Sequence, residues 1–284
     1  MIKKTRELLA KLPIPFLGDA APVVSVLPLE GVIGTSGRFS EALNLAGIEK
    51  RIDAAFDAYG LKAVALAINS PGGSPVQSEL IMRRIRKLSE EKKIPVYAFA
   101  EDVAASGGYM LALAGEEIYG SAASIIGSIG VISAGFGFDK AIEKVGVDRR
   151  VYTAGENKSI LDPFQPEKDE DVKFLKEIQK EIHAFFKDMV KERRGEKLKG
   201  TQKVMFSGKF WTGTEAEKMG LIDGIGDLQT VMKEKFGEKT KFNRVEGEKG
   251  FIKSLLGLGG RKSAVSREIM AVLDERVHWG RFGL

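Results

Sequence analysis

With 284 residues, 43% hydrophobic and 29% charged, the chain has enough apolar side chains to bury a sizeable core, and its composition excludes an intrinsically disordered protein. The net charge of +5 balances 44 Lys and Arg against 39 Asp and Glu, with no aromatic-studded basic stripe, which argues against nucleic-acid binding. Zero Cys removes thiolate nucleophiles, thiolate zinc sites and disulfides, and the two His, His183 and His278, are too few for a His-rich metal site.

Residues 1–20 form a basic amphipathic tail: Leu8, Leu9, Leu12 and Phe16 lie among Lys3, Lys4, Arg6 and Lys11. It lacks the apolar run of a signal peptide, and nothing elsewhere approaches the roughly 18 apolar residues that cross a bilayer. A cytoplasmic protein is expected. The tail is read as solvated in preference to resting on the inner face of the membrane.

Pro22 to Ile33 reads as a strand and Gly47 to Tyr59 as a helix. Ala63 to Ile68 is a continuous apolar run, as in a parallel strand covered on both faces. Asn69-Ser70-Pro71-Gly72-Gly73 breaks it, and Ser74 with Pro75 supplies an N-cap and first-turn proline for the next helix. Ile94 to Ala100 is a further strand, and the small-residue segment Ala104 to Ala114 follows. Glu117 to Tyr119 and Arg149 to Tyr152 read as strands, Phe138 to Val145 as a short helix. About Pro166 to Arg194 is a long amphipathic helix suited to packing or subunit contact. Thr214 to Met219 is a shorter helix, and beyond Val245 the pattern weakens until an amphipathic stretch, Val265 to Val277. Strands alternating with helices predict an α/β layer with a mostly parallel sheet. The implied organisation is a tail (1–20), a main domain (21–245) and a C-terminal extension (246–284).

Two turns could carry chemistry. Gly72-Gly73 leaves backbone N–H groups free at a helix start, either as an oxyanion-binding turn or as an ordinary strand-to-helix connection. Ala105-Ser106-Gly107-Gly108 exposes Ser106 between small neighbours, as a nucleophile or as a simple helix cap. A Ser hydroxyl needs a base. Neither His lies in a Gly-rich turn, so a Ser–His–Asp triad is disfavoured, although folding could still bring one close. A Lys can serve where burial lowers its pKa. Lys158, in Gly155-Glu156-Asn157-Lys158-Ser159, is one such residue, though an ordinary solvated loop Lys would look the same.

Five segments in order resemble the signal peptide peptidase A (SppA) family of serine–lysine peptidases. They are Ile68-Asn69-Ser70-Pro71-Gly72-Gly73, Ala105-Ser106-Gly107-Gly108-Tyr109, Ile126-Gly127-Ser128-Ile129-Gly130-Val131, Gly155-Glu156-Asn157-Lys158-Ser159, and Ser207 to Gly213 through Gly220 to Asp223. The resemblance implies Ser106 as nucleophile and Lys158 as general base, with the backbone of Gly73 and Gly107 as oxyanion donors. Ser128 is a candidate for orienting Lys158, equally readable as a structural turn Ser. It implies a ClpP/crotonase-like spiral of ββα units with a long peripheral helix, and a homo-oligomeric ring, octameric or tetrameric. No cofactor or metal is required. The substrates implied are apolar peptides, such as remnant signal peptides, or unfolded segments. Two other readings stand beside it: a crotonase-like acyl-coenzyme A hydratase or hydrolase, and a catalytically silent membrane-associated scaffold.

Overall fold

The computed structural model describes residues 21–34, 43–246, 279, 280 and 282. The expected tail and the predicted helix Val265 to Val277 lie outside the described residues.

The fold is built on β1 (Val23–Glu30), α1 (Leu45–Ala55), β2 (Leu61–Ser70), α2 (Pro75–Lys92), β3 (Val96–Ala105) and α3 (Gly107–Ala112). Next come β4 (Glu117–Gly120), β5 (Ile125–Gly127), α4 (Asp139–Lys144) and α5 (Asp169–Arg194). The chain continues through α6 (Gln202–Met205), β6 (Phe210–Thr212), α7 (Gly213–Lys218), β7 (Gly224–Ile225), α8 (Leu228–Phe236) and β8 (Lys241–Arg244). The strands form one sheet in the order β6-β5-β3-β2-β1-β8, with β4 pairing beside β3 and β7 beside β4. Every pairing is parallel except β5 with β6.

The unbroken apolar run of β2 follows from cover on both faces. Val64, Leu66 and Ile68 join Ile48, Ile52, Ile81 and Ile85 of α1 and α2 in the main core. Ala63 and Ala65 face the other way, against Val231 and Met232 of α8. Each fully buried Leu or Ile of this kind stabilises the fold by about 1.5–3 kcal/mol relative to exposure. The helix starts follow the expected chemistry. Asn44 Oδ1 accepts the Gly47 N–H at 2.9 Å, and the Ser74 hydroxyl accepts from Gln77 with Pro75 in the first turn.

β3 runs further than its apolar stretch suggests. Ile68 pairs with Ala100 but Ser70 pairs with Ala104, so β3 carries two extra residues opposite Asn69. The Asn69 side chain braces this bulge, donating to Asp102 at 2.9 Å and accepting from the Val103 N–H at 3.2 Å. Beyond it, Val103 to Ala105 pair with β5 and deliver the chain to Ser106.

One expected strand is absent. Arg149 to Tyr152 has no regular structure: it lies on an exposed arm and pairs with no strand. No residue from Val131 to Phe185 is buried. The arm is held together by its own contacts: Phe138 stacks on Phe164 at 5.5 Å, and Arg149 pairs with Asp162 at 2.8 Å while covering the Phe164 ring. Asp171, in the first turn of α5, accepts the Leu161 N–H at 3.0 Å and ties the arm to that helix.

Candidate active site

Ser106 occupies the turn between β3 and α3 with φ 53° and ψ −121°. A non-glycine residue rarely adopts this backbone, and it costs on the order of 1–3 kcal/mol unless its surroundings enforce it. Here they do. The Ser106 N–H donates to the Gly127 carbonyl at 2.8 Å, while the Ser106 carbonyl accepts from Tyr109 and Met110 to start α3.

The Gly72-Gly73 turn presses against it. A Cβ on Gly72 (φ 105°) would stand 2.8 Å from both the Ser106 Cβ and the Gly107 nitrogen; one on Gly73 (φ 141°) would collide with the Ile33 backbone. Both positions therefore require glycine. Ser70 fixes the turn, its hydroxyl donating to the Gly31 carbonyl at 2.7 Å and accepting from Gly72. Among the described residues the N–H groups of Gly73 and Gly107 donate to no acceptor. Two unpaired donors thus sit on touching turns beside one serine.

A cavity of about 210 Å³ opens at Ser106, lined in part by Ser128, Gly130, Val131, Ile132 and His183. Ser128 also has positive φ, 50°, and is buried, its N–H held by the Lys209 carbonyl at 2.8 Å. Ser106 and Ser128 are therefore brought together. Lys158 is not. It sits exposed on the arm and does not line this cavity, so the burial that a neutral Lys needs is missing within one chain. Met110 to Ala114 are buried in the core, which leaves Val131 and Ile132 as the apolar side chains on the cavity wall.

α3 is braced from beneath. The buried Tyr109 hydroxyl donates to the Leu221 carbonyl at 2.7 Å, and burial pushes its phenol well above the ordinary range. Arg194, at the end of α5, donates to the Gly220 carbonyl at 2.8 Å and pairs with Asp223 at 2.7 Å. Burial pulls the Asp223 carboxyl upward. Hydrogen bonds from Arg194, Lys197 and the Ile118 N–H outweigh that and hold it below the usual carboxylate range.

The family model for peptidase family S49 matches residues 89–240, which include Ser106, Ser128 and Lys158.

The chain belongs to peptidase family S49.

The SppA resemblance is thereby placed within S49. A Brucella abortus protein called Na(+)/H(+) antiporter NhaA is 48% identical over 92% of this chain but 37% of its own length. The chloroplastic serine protease SPPA of Arabidopsis thaliana is 29% identical over 88% of this chain and 38% of that protein. The chain thus spans under two fifths of the length of either relative. A solved membrane-bound stomatin-specific protease with a bound substrate peptide overlaps with a TM-score of 0.48, at 17% identity, over 84% of this chain and 100% of that one. No helix among the described residues is long and apolar enough to cross a membrane, and no group of three or more His, Cys, Asp or Glu among them could hold a metal ion.

His183 is the residue that sequence reasoning set aside. It falls within the long packing helix, yet it lines the Ser106 cavity and contacts the Ile129 carbonyl through Nε2 at 3.1 Å. A signal was present. His183 shares a helical face with Phe186 and Val190, both fully buried, so it had to point toward the body of the protein.

Proposed function

We propose that this S49 member is a serine endopeptidase in which Ser106 attacks the peptide carbonyl and Lys158 of a neighbouring copy acts as general base. The carrying observation is Ser106 at φ 53° beside two unpaired N–H groups, those of Gly73 and Gly107. Such donors, fixed before the reaction, stabilise the oxyanion of a tetrahedral intermediate without reorganising during it.

The Lys158 assignment is supported by the arm. A solvated Lys is protonated at neutral pH and cannot accept a proton. The arm leaves Phe136, Val145, Val147 and Tyr152 largely exposed, apolar side chains that a second copy could cover. Docking that surface on a second copy would desolvate Lys158, and desolvation favours a neutral amine over an ammonium. Neutral Lys158 Nζ then takes the Ser106 proton as Oγ bonds to the carbonyl carbon. On collapse, the protonated Nζ returns that proton to the leaving amine, and the acyl group stays on Ser106. Lys158 next deprotonates a water, which attacks the ester, and Ser106 Oγ is restored with the proton. Ser128 would orient Nζ. Val131 and Ile132 beside the cavity favour apolar peptides, such as remnant signal peptides, or unfolded segments.

Mixing two inactive variants tests the reading. Ser106→Ala and Lys158→Ala should each fail to cleave fluorogenic apolar peptides. Dissociated and reassembled together at equal amounts in a closed ring, about one site in four would join an intact Ser106 to an intact neighbouring Lys158. Recovery near a quarter of wild-type turnover supports transfer between copies; no recovery places the base in the same chain. A fully active Ser106→Ala variant defeats the peptidase reading.

A further inference from the structure

His183 is the only titratable side chain among the described residues that line the Ser106 cavity. A carbonyl oxygen only accepts, so the 3.1 Å contact between Nε2 and the Ile129 carbonyl requires the proton on Nε2. That commitment excludes His183 as the base of a Ser–His–Asp triad. Such a base aims one ring nitrogen at the nucleophile and the other at a carboxylate. Here Nε2 is engaged by a backbone carbonyl, and Nδ1 has no hydrogen-bond partner among the described residues.

The contact has a mechanical meaning. Ile129 is fully buried between Ser128 and Gly130, whose N–H donates to the Ser128 carbonyl at 2.9 Å. On one side the turn hangs from the Lys209 carbonyl through the Ser128 N–H. On the other it hangs from α5 through His183. The same helix holds the arm through Asp171 and the Leu221–Asp223 turn through Arg194. His183 is therefore where the helix tied to the Lys158 arm meets the wall of the nucleophile's cavity.

We propose that His183 is a positioning residue for the Ser106 reaction, which clamps the Ser128-Ile129-Gly130 turn to α5 and so holds the Ser128 hydroxyl where it meets the base. The clamp rests on the Ser–Lys reading above. It acts on proton transfer, not on substrate affinity, so its loss falls on kcat. Misplacing a supporting group by a fraction of an ångström is enough for a loss of about tenfold.

The test compares wild type, His183→Gln and His183→Leu in the assembled protein. Gln keeps an N–H donor of similar reach; Leu fills the space without one. His183→Leu should lower kcat about tenfold with KM within about twofold, and His183→Gln should stay within about threefold of wild type. Wild-type kcat in His183→Leu, a loss confined to KM, or a Gln variant as impaired as Leu overturns the clamp. A second readout is independent of turnover and of whether His183→Leu assembles. With 15N-labelled imidazoles in a His278→Gln background, His183 must show the Nε2–H tautomer; an Nδ1–H tautomer overturns the proposal. If wild type cleaves nothing, the peptidase reading fails, and the clamp's role in catalysis fails with it; the tautomer then reports the contact alone.

Discussion

The Ser106 N–H donates to the Gly127 carbonyl at 2.8 Å, so the short strand β5 holds the nucleophile in a backbone conformation that serine alone would avoid. Glycine has no such aversion. Ser106→Gly should therefore raise thermal stability, by about 1 kcal/mol, while abolishing turnover. Melting and peptide cleavage on the same preparation check this; a Gly variant less stable than wild type would show that the serine is not strained.

Gly72 tests the opposite side of the turn. Its Cβ would stand 2.8 Å from the Ser106 Cβ and the Gly107 nitrogen, at φ 105°. Gly72→Ala should destabilise by about 2 kcal/mol or more and cut kcat, because both contacts are to the proposed machinery. A denaturant titration with parallel kinetics reads both effects.

Tyr109 places the first turn of α3 against the Leu221 carbonyl. Tyr109→Phe leaves that buried acceptor without its donor and should cost about 1–2 kcal/mol. The expected midpoint shift in urea would be absent if another donor replaced the hydroxyl.

The Arg194–Asp223 pair gives a pH signature. The Asp223 carboxyl sits below its ordinary pKa in the folded state, so the unfolded chain takes up its proton first as pH falls. The pair's stabilisation is complete above roughly pH 4, the ordinary Asp value, and is lost below it. Wild type should therefore lose stability on acidification below that point, and Asp223→Asn should lose less while starting lower at pH 7. Arg194→Leu, which leaves a half-buried carboxylate without its chief partner, should cost about 3 kcal/mol at pH 7. Melting temperatures across the pH range decide.

The arm predicts assembly behaviour. Tyr152 is 91% exposed and Phe136 81%. Replacing both with Ser should weaken self-association and lower specific activity at low protein concentration, with the melting of the isolated subunit little changed. Sedimentation measures the first effect; unchanged association would leave this surface without the proposed role.

Much of the fold was legible because local chemistry agreed with the final structure. The apolar run of β2, the Ser74-Pro75 start of α2 and the Gly-rich turns each carry their own cause within a few residues. Most elements that escaped notice are short and depend on partners distant in the chain; α8, nine residues behind an Asp227 cap, is the exception, since its start signal was local. β5 has three residues and exists as a strand because Val103 to Ala105 lie beside it. β6 is equally short and pairs antiparallel with β5. Arg149 to Tyr152 shows the reverse: a strand-like composition that pairs with no strand stays irregular.

By itself the sequence offered residue types that could do chemistry, a serine between small neighbours and glycines at strand-to-helix turns; Lys158 was singled out only by the resemblance to the SppA family. It did so because backbone strain, capping and hydrophobic period are local properties. Only the tertiary structure decided that Ser128 and His183 share the Ser106 cavity while Lys158 stands apart on an exposed arm. Those relations depend on the bulge in β3, the pairing of β5 and the docking of α5, which are set by contacts between residues far apart in the chain.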